Sequence, residues 1–224
     1  MNQYNFIGRE VLGILGCLLM YIVLLLGAAV SISNVIISIL PATLLVTSVY
    51  LLLCKYFSPG TNNFACSVSK SLEKYSEKFS FWLFLAFLLI GCQLVLVWGG
   101  EVLSFFYMGG LLPNGDGSSY YKGARKLLLD GELSEWSSRR PFMTTYLASV
   151  LAVSKFSLSA TIATICAVSA FSIALFSSVL RRSEPLAVAL WSLALVFFFY
   201  YRLVGNPLSE NLGLTFGCIA FVYL

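Results

Sequence analysis

The sequence predicts an all-α, polytopic transmembrane helical protein. Hydrophobic residues make up 59% of the 224 residues and charged residues only 11%, whereas roughly a quarter of a soluble domain is charged. The apolar residues form runs close to the ~20 residues that a helix needs to cross a bilayer. These runs lack the alternating polarity of membrane-barrel strands, so we expect a bundle of helices.

Six apolar runs are predicted as spans of a single transmembrane domain that covers residues 1–224. The last run is too short to complete a crossing, and we therefore expect the chain to be part of a longer protein. The predicted spans lie at about residues 11–30, 35–54, 79–106, 158–180, 185–201 and 208–224 (incomplete).

The orientation follows from a basic segment at residues 55–78. Short loops rich in lysine stay in the cytoplasm, and this segment carries Lys55, Lys70, Lys74 and Lys78. The N-terminus is thus predicted inside and residues 108–157 form an outer loop. We expect an integral, multi-pass protein of the plasma (cytoplasmic) membrane.

The apolar piece at residues 142–153 leaves two topologies open. If it spans, Arg181 and Arg182 lie on the same side as the outer loop; if it lies on the surface, they lie in the cytoplasm. We favour the surface position, because it places this arginine pair inside.

Composition also limits the chemistry. The chain has no histidine, which excludes a Ser-His-Asp triad and most zinc sites, so carboxylates must carry any acid-base step. Its six cysteines are scattered without ligand-like spacing and are interpreted as small hydrophobic residues. The net charge of +4 is modest and implies no nucleic-acid partner; membrane lipids are the expected surroundings.

An amphipathic juxtamembrane helix is predicted in the outer loop. After a turn-rich segment, Asp116 stands where a helix should begin, and apolar residues recur at helical spacing until Gly131 ends it. Asp116 is either the N-cap of this helix or a functional acid. A divalent cation at Asp116 is also open, although the sequence lacks the pattern of a calcium-binding loop and no metal site is predicted. The polar face carries Lys122, Arg125 and Lys126.

Charged residues flank the apolar chain at two further places. Arg139 and Arg140 precede residue 142, and paired guanidiniums suit a phosphate, or alternatively lipid headgroups. Glu210 opens the final apolar run, where an ionisable group faces a site or serves as a first-turn acid favoured by the helix dipole.

In their order and spacing, residues 80–224 resemble GT-C type membrane glycosyltransferases, in particular the branch of protein O-mannosyltransferases and aminoarabinose transferases. The resemblance rests on Asp116 with Tyr120 in an outer loop, Arg140-Pro141 before a short apolar piece, a span ending in Arg181-Arg182, and Arg202 and Ser209-Glu210 opening the last run. Gly117 stands where many relatives carry a second acid.

The resemblance implies a GT-C-like fold and transfer of a sugar from a polyprenyl-phosphate donor to an acceptor on the outer membrane face. Asp116 and Glu210 would be the catalytic acids, with Asp116 as the general base. The substrate-binding residues would be Tyr120, Lys122, Arg125, Arg139, Arg140 and Arg202. The alternatives are a membrane transporter or lipid flippase, which needs polar groups inside the spans, and a non-catalytic membrane assembly or scaffold protein, which does not need Asp116.

Overall fold

The computed structural model describes residues 71–98, 107–108 and 112–224, without the side chains of residues 95–96 and 107–108. This part of the chain is mostly helical, in agreement with the predicted all-α class. The spans predicted at residues 11–30 and 35–54 lie outside the described residues, as do Lys55, Lys70 and the end of the third span.

The described elements follow the chain in a simple order. Residues 71–76 are helical, and two short antiparallel strands pair Tyr107 with Pro113 and Met108 with Leu112. The longer elements are α1 (Phe79–Trp98), β1 (Tyr107–Met108), β2 (Leu112–Pro113), α2 (Asp116–Asp130), a 3-10 helix (Ser137–Arg139), α3 (Pro141–Val153), α4 (Leu158–Ser183), α5 (Leu186–Tyr200) and α6 (Ser209–Tyr223).

One described helix, α4, is long and apolar enough to cross a membrane. Its 26 residues extend about 39 Å at ~1.5 Å per residue, more than the ~30 Å of hydrocarbon in a bilayer. The apolar stretches Phe79–Leu94, Pro141–Val153 and Leu186–Tyr200 are shorter.

Local chemistry explains the bounds of α2 and α3. Gly131 takes a left-handed conformation (φ 75°) and donates its N–H to the carbonyl of Leu127, which ends α2 where the sequence predicts. Pro141 opens α3, because its fixed φ suits the first helical turn and its missing N–H costs nothing there. Residues 142–153 are therefore helical, but the 13-residue helix reaches only about 20 Å.

The described residues form two compact units. The first contains residues 71–78 and Leu180–Phe198. In it, Nε of Arg181 donates a hydrogen bond of 2.9 Å to Oγ of the fully buried Ser76, and Nη1 of Arg181 donates to the carbonyl of Glu184. The C-terminal end of α4 is thereby tied to residues 71–78.

The second unit contains the described residues of Phe79–Val179 and Phe199–Leu224. One face of α2 packs against one face of α3, and side chains from α4 and α6 complete the cluster. Its buried members are Tyr120, Ala124, Met143, Leu147, Ala148, Ile165 and Leu212. The prediction of one transmembrane domain concerns the whole chain and stays a prediction.

Candidate active site

Arg140 is the residue around which the candidate site is built. It lies between the 3-10 helix and Pro141, and its side chain is exposed. Nη1 of Arg140 donates a hydrogen bond of 3.0 Å to the hydroxyl of Tyr120. The Tyr120 side chain is fully buried, and its ring meets that of Trp136 edge to face with the centroids 4.7 Å apart. Packing thus fixes the phenol, and the phenol orients the guanidinium.

Two acids that are distant in sequence act on the same guanidinium. The pKa of Arg140 is raised, first by its hydrogen bond and charge interaction with Tyr120 and then by attraction to the carboxylates of Asp116 and Glu210. Within the described part of the chain, neither carboxylate forms a direct ion pair with Arg140. Both carboxylates therefore attract the Arg140 guanidinium without a direct ion pair to it.

Asp116 is the first residue of α2 and is exposed. The N-cap position belongs to Gly115 (φ 60°), so the interpretation of Asp116 as N-cap is wrong. Among the described residues, no group donates a hydrogen bond to the Asp116 carboxylate, whereas the neighbouring Ser118 hydroxyl is bound to the carbonyl of Gly115.

Gly117 lets the start of α2 approach the turn before α6. A Cβ atom at position 117 would overlap the amide side chain of Asn206 and lie 3.3 Å from Cβ of Pro113. The start of α2 therefore contacts the buried turn before α6 directly, and only glycine permits this approach.

The turn before α6 positions Glu210. Asn206 is buried, and its carbonyl accepts a hydrogen bond from the side-chain amide of Asn211 in the first turn of α6. Glu210 is exposed beside it and accepts a hydrogen bond of 3.1 Å from Oγ of Ser209. Its place in the first turn is also favoured by the positive end of the helix dipole.

The other predicted substrate-binding residues lie elsewhere. Lys122 and Arg125 are at least partly exposed, and helical spacing places them away from the buried Tyr120 face of α2. Nε of Arg202 donates to the hydroxyl of Tyr201 (2.8 Å), which raises the pKa of Arg202, and neither Asp116 nor Glu210 contributes to that change. Arg139 is exposed at the end of the 3-10 helix.

Two contributors to the site were missed by the sequence reasoning. Trp136 holds the ring of Tyr120, and Asn206 meets Gly117. An aromatic residue just before an arginine pair is a weak signal for the first, and nothing in the sequence marks the second.

The donor set does not fit a metal. Among residues 71–98, 107–108 and 112–224, no three side chains of the kinds that bind metals gather at one place. A divalent cation at Asp116 would also be repelled by the guanidinium of Arg140, which already supplies positive charge beside that carboxylate. No family profile, curated protein or solved structure matches this chain.

Proposed function

We propose that the protein is a polytopic membrane glycosyltransferase of the GT-C-like kind, which moves a sugar from a polyprenyl-phosphate donor to an acceptor on the outer membrane face. The observation that carries the proposal is the guanidinium of Arg140, which is oriented by the Tyr120 hydroxyl and attracted by the exposed carboxylates of Asp116 and Glu210. This arrangement suits two groups. The guanidinium can bind a phosphate, and a carboxylate can take the proton from a nucleophile.

Lipid-facing surfaces support the membrane setting. Several apolar helices expose large hydrophobic side chains, which is unfavourable in water and favourable in hydrocarbon. On α4, α5 and α6 these include Phe171, Phe198, Phe199 and Phe216, which are 47%, 57%, 76% and 50% exposed. We place α4 across the bilayer, and α1, α5 and α6 as further spans.

The bond between Arg181 and Ser76 supports the topology. It ties the end of α4 to residues 71–78, which carry Lys74 and Lys78 of the basic segment that is expected inside. With α1 and α4 each crossing once, the start of α4 is outside together with α2. Such a chain accommodates α3 on the outer surface and not across the bilayer.

In the proposed reaction, the acceptor oxygen or nitrogen forms a bond to the anomeric carbon of the sugar. The bond between this carbon and the phosphate oxygen breaks, and its electron pair leaves with the phosphate. The acceptor proton passes to the Asp116 carboxylate, which needs no prior loss of a hydrogen bond to receive it. Asp116 is thus the catalytic base.

Arg140 binds the phosphate and stabilises the negative charge that develops on it. A guanidinium held by Tyr120 is already oriented when that charge appears, so little reorganisation opposes the reaction. Arg139, the exposed residue before Arg140 in the sequence, adds positive charge to the same membrane face. Glu210 balances the charge of Arg140 and contacts the sugar or the acceptor.

The test uses membranes that contain the full chain, a radiolabelled polyprenyl-phosphate sugar and endogenous acceptors. Asp116→Asn, Arg140→Gln and Glu210→Gln are each expected to reduce transfer at least about a hundredfold. Arg202→Gln and Lys122→Gln serve as controls, because each also removes one charge, but away from the site. Transfer that survives both Asp116→Asn and Arg140→Gln would show that the mechanism is wrong.

A transport function is the second candidate, because α4 carries buried polar side chains. These residues are Thr161, Ser169, Ser172, Ser177 and Ser178. They are uncharged and small, however, and Thr161 and Ser172 donate to backbone carbonyls of their own segment, as in close packing between helices. Movement of a fluorescent polyprenyl-phosphate sugar across vesicles without transfer would favour transport; activity independent of Asp116 would favour a scaffold.

A further inference from the structure

The helix α3 has one buried face and one exposed face. The buried face packs inside the second unit, to which α3 belongs, through Met143, Leu147 and Leu151. The opposite face begins with Phe142 (65% exposed) and ends with Val153 (86% exposed). The same face carries the exposed Thr145 and Ser149, and α3 contains no charged residue.

The turn after α3 is strained. Lys155 (φ 52°) and Phe156 (φ 62°) are consecutive residues in the left-handed region, which is unfavourable for residues with a Cβ atom. The turn is held by a bond of 2.9 Å from the N–H of Phe156 to the carbonyl of Leu151, and by a contact of 2.6 Å between the hydroxyls of Ser154 and Thr161. Strain of this kind persists where surrounding contacts enforce it, often at functional positions.

The strained turn places one positive charge among exposed apolar side chains. Lys155 is exposed, Phe156 is 46% exposed, and Val153 lies just before them. Lys155 is also the only charged residue of the sequence between Arg140 and Arg181. A single ammonium group bordered by exposed hydrophobic groups matches the boundary between lipid headgroups and acyl chains.

We infer that the turn at residues 153–156 is an anchor that binds the headgroup region of an anionic phospholipid leaflet. The ammonium group of Lys155 pairs with a headgroup phosphate, while Val153, Phe156 and Phe142 enter the acyl region. The turn binds a lipid leaflet because its surface combines a positive charge with exposed apolar side chains at the point where α4 begins. The inference does not depend on glycosyl transfer; it requires only that α4 enters the membrane at Leu158.

The test places an environment-sensitive bimane label at Val153→Cys, which leaves Lys155 and Phe156 intact. The label is introduced after replacement by alanine of the six native cysteines, Cys17, Cys54, Cys66, Cys92, Cys166 and Cys218. The protein is reconstituted in vesicles of phosphatidylcholine and phosphatidylglycerol, with a doxyl quencher on the chains of one or the other lipid. We expect quenching by both lipids, with phosphatidylglycerol preferred about fivefold, the effect of one lysine near an anionic surface.

Variants of Lys155 separate the effect of its charge from the effect of the turn conformation. Lys155→Gln should abolish the preference for phosphatidylglycerol. Lys155→Gly should abolish it as well while leaving the turn intact, because glycine adopts a positive φ without strain. Lys122→Gln, which changes a lysine of α2, should leave the preference unchanged.

Three results would overturn the inference. The label would be in water if aqueous iodide quenched it better than the doxyl lipids do. If neither iodide nor the doxyl lipids quenched the label, position 153 would be covered by protein and not by lipid. Equal quenching by both lipids with Lys155 present would exclude the pairing of lysine with phosphate. Measurement of transferase activity in the same vesicles distinguishes a failure of this inference from a failure of the proposed function.

Discussion

The guanidinium of Arg140 donates a hydrogen bond of 3.0 Å to the hydroxyl of Tyr120, whose side chain is fully buried. An exposed charged group is thus attached to the core between α2 and α3. Surface arginines sample many conformations, and fixing one costs entropy. The conformational entropy of the Arg140 side chain is lost when the protein folds and not when a ligand binds. Arg140 is therefore oriented before a phosphate arrives.

Tyr120→Phe is expected to lower transferase activity about tenfold with little loss of stability. The variant removes only the acceptor hydroxyl, while the ring keeps its packing against Trp136. A rise in KM for the donor with a smaller change in kcat would indicate weaker phosphate binding. Tyr121→Phe is the matched control, since Tyr121 is near Arg125 and not Arg140; equal effects of both variants would contradict a positioning role of Tyr120.

Arg140→Lys is expected to reduce transfer by about a hundredfold although it preserves the charge. A lysine offers a point charge and not the planar fork that binds phosphate and reaches the Tyr120 hydroxyl. The effect is measured as the transfer rate at increasing donor concentration. Arg125→Lys is the control, because Arg125 lies away from the Tyr120 face of α2. Full activity of Arg140→Lys would mean that charge alone is needed.

Gly117→Ala is expected to destabilise the protein by about 1–3 kcal/mol, the usual cost of overpacking, and to abolish transfer. Its Cβ would overlap the Asn206 side chain, so the start of α2 would have to move away from the turn before α6. Gly213→Ala in α6 is the control, because nothing lies within 4 Å of the position that its methyl group would take, and alanine favours helix. Thermal midpoints and activity are compared, and Gly117→Ala with Asn206→Gly should regain part of both.

Ser76→Ala is expected to destabilise the first unit by about 1 kcal/mol, the worth of a typical hydrogen bond. The Ser76 hydroxyl donates to the carbonyl of Glu73 (2.7 Å) and accepts from Nε of Arg181. Ser183→Ala removes an exposed hydroxyl near the same helix end and should have a smaller effect. The thermal midpoint in detergent is the measurement, and an unchanged midpoint for Ser76→Ala would show that the bond contributes nothing.

The proposed topology predicts the labelling of two introduced cysteines in intact cells, in a background without native cysteines. Glu132→Cys, at an exposed side chain after α2, should react with an impermeant maleimide from outside. Lys78→Cys, an exposed position just before α1, should react only after permeabilisation. The reverse pattern would invert the assignment of the two faces.

Sequence reasoning singled out Asp116, Arg140 and Glu210 as candidates because charge is rare in this chain and is costly beside apolar helices. The resemblance implied that Tyr120 binds substrate, whereas the structure buries its side chain and bonds its hydroxyl to Arg140. Burial of a ring and the direction of its hydroxyl depend on neighbours that are distant in sequence. Sequence reasoning also wrongly offered Asp116 as an N-cap, because an N-cap and a first helical residue differ by one position, which backbone geometry alone decides.

The sequence by itself determined the helical class, the apolar character of the long helices and the end of α2 at Gly131, because these depend on local composition and backbone preference. Tertiary structure alone decided that the carboxylates of Asp116 and Glu210 both attract the guanidinium of Arg140, while neither contributes to the raised pKa of Arg202. The physical reason is the close contact of Gly117 with Asn206, which joins two turns distant in sequence and is set by shape and not by any local pattern.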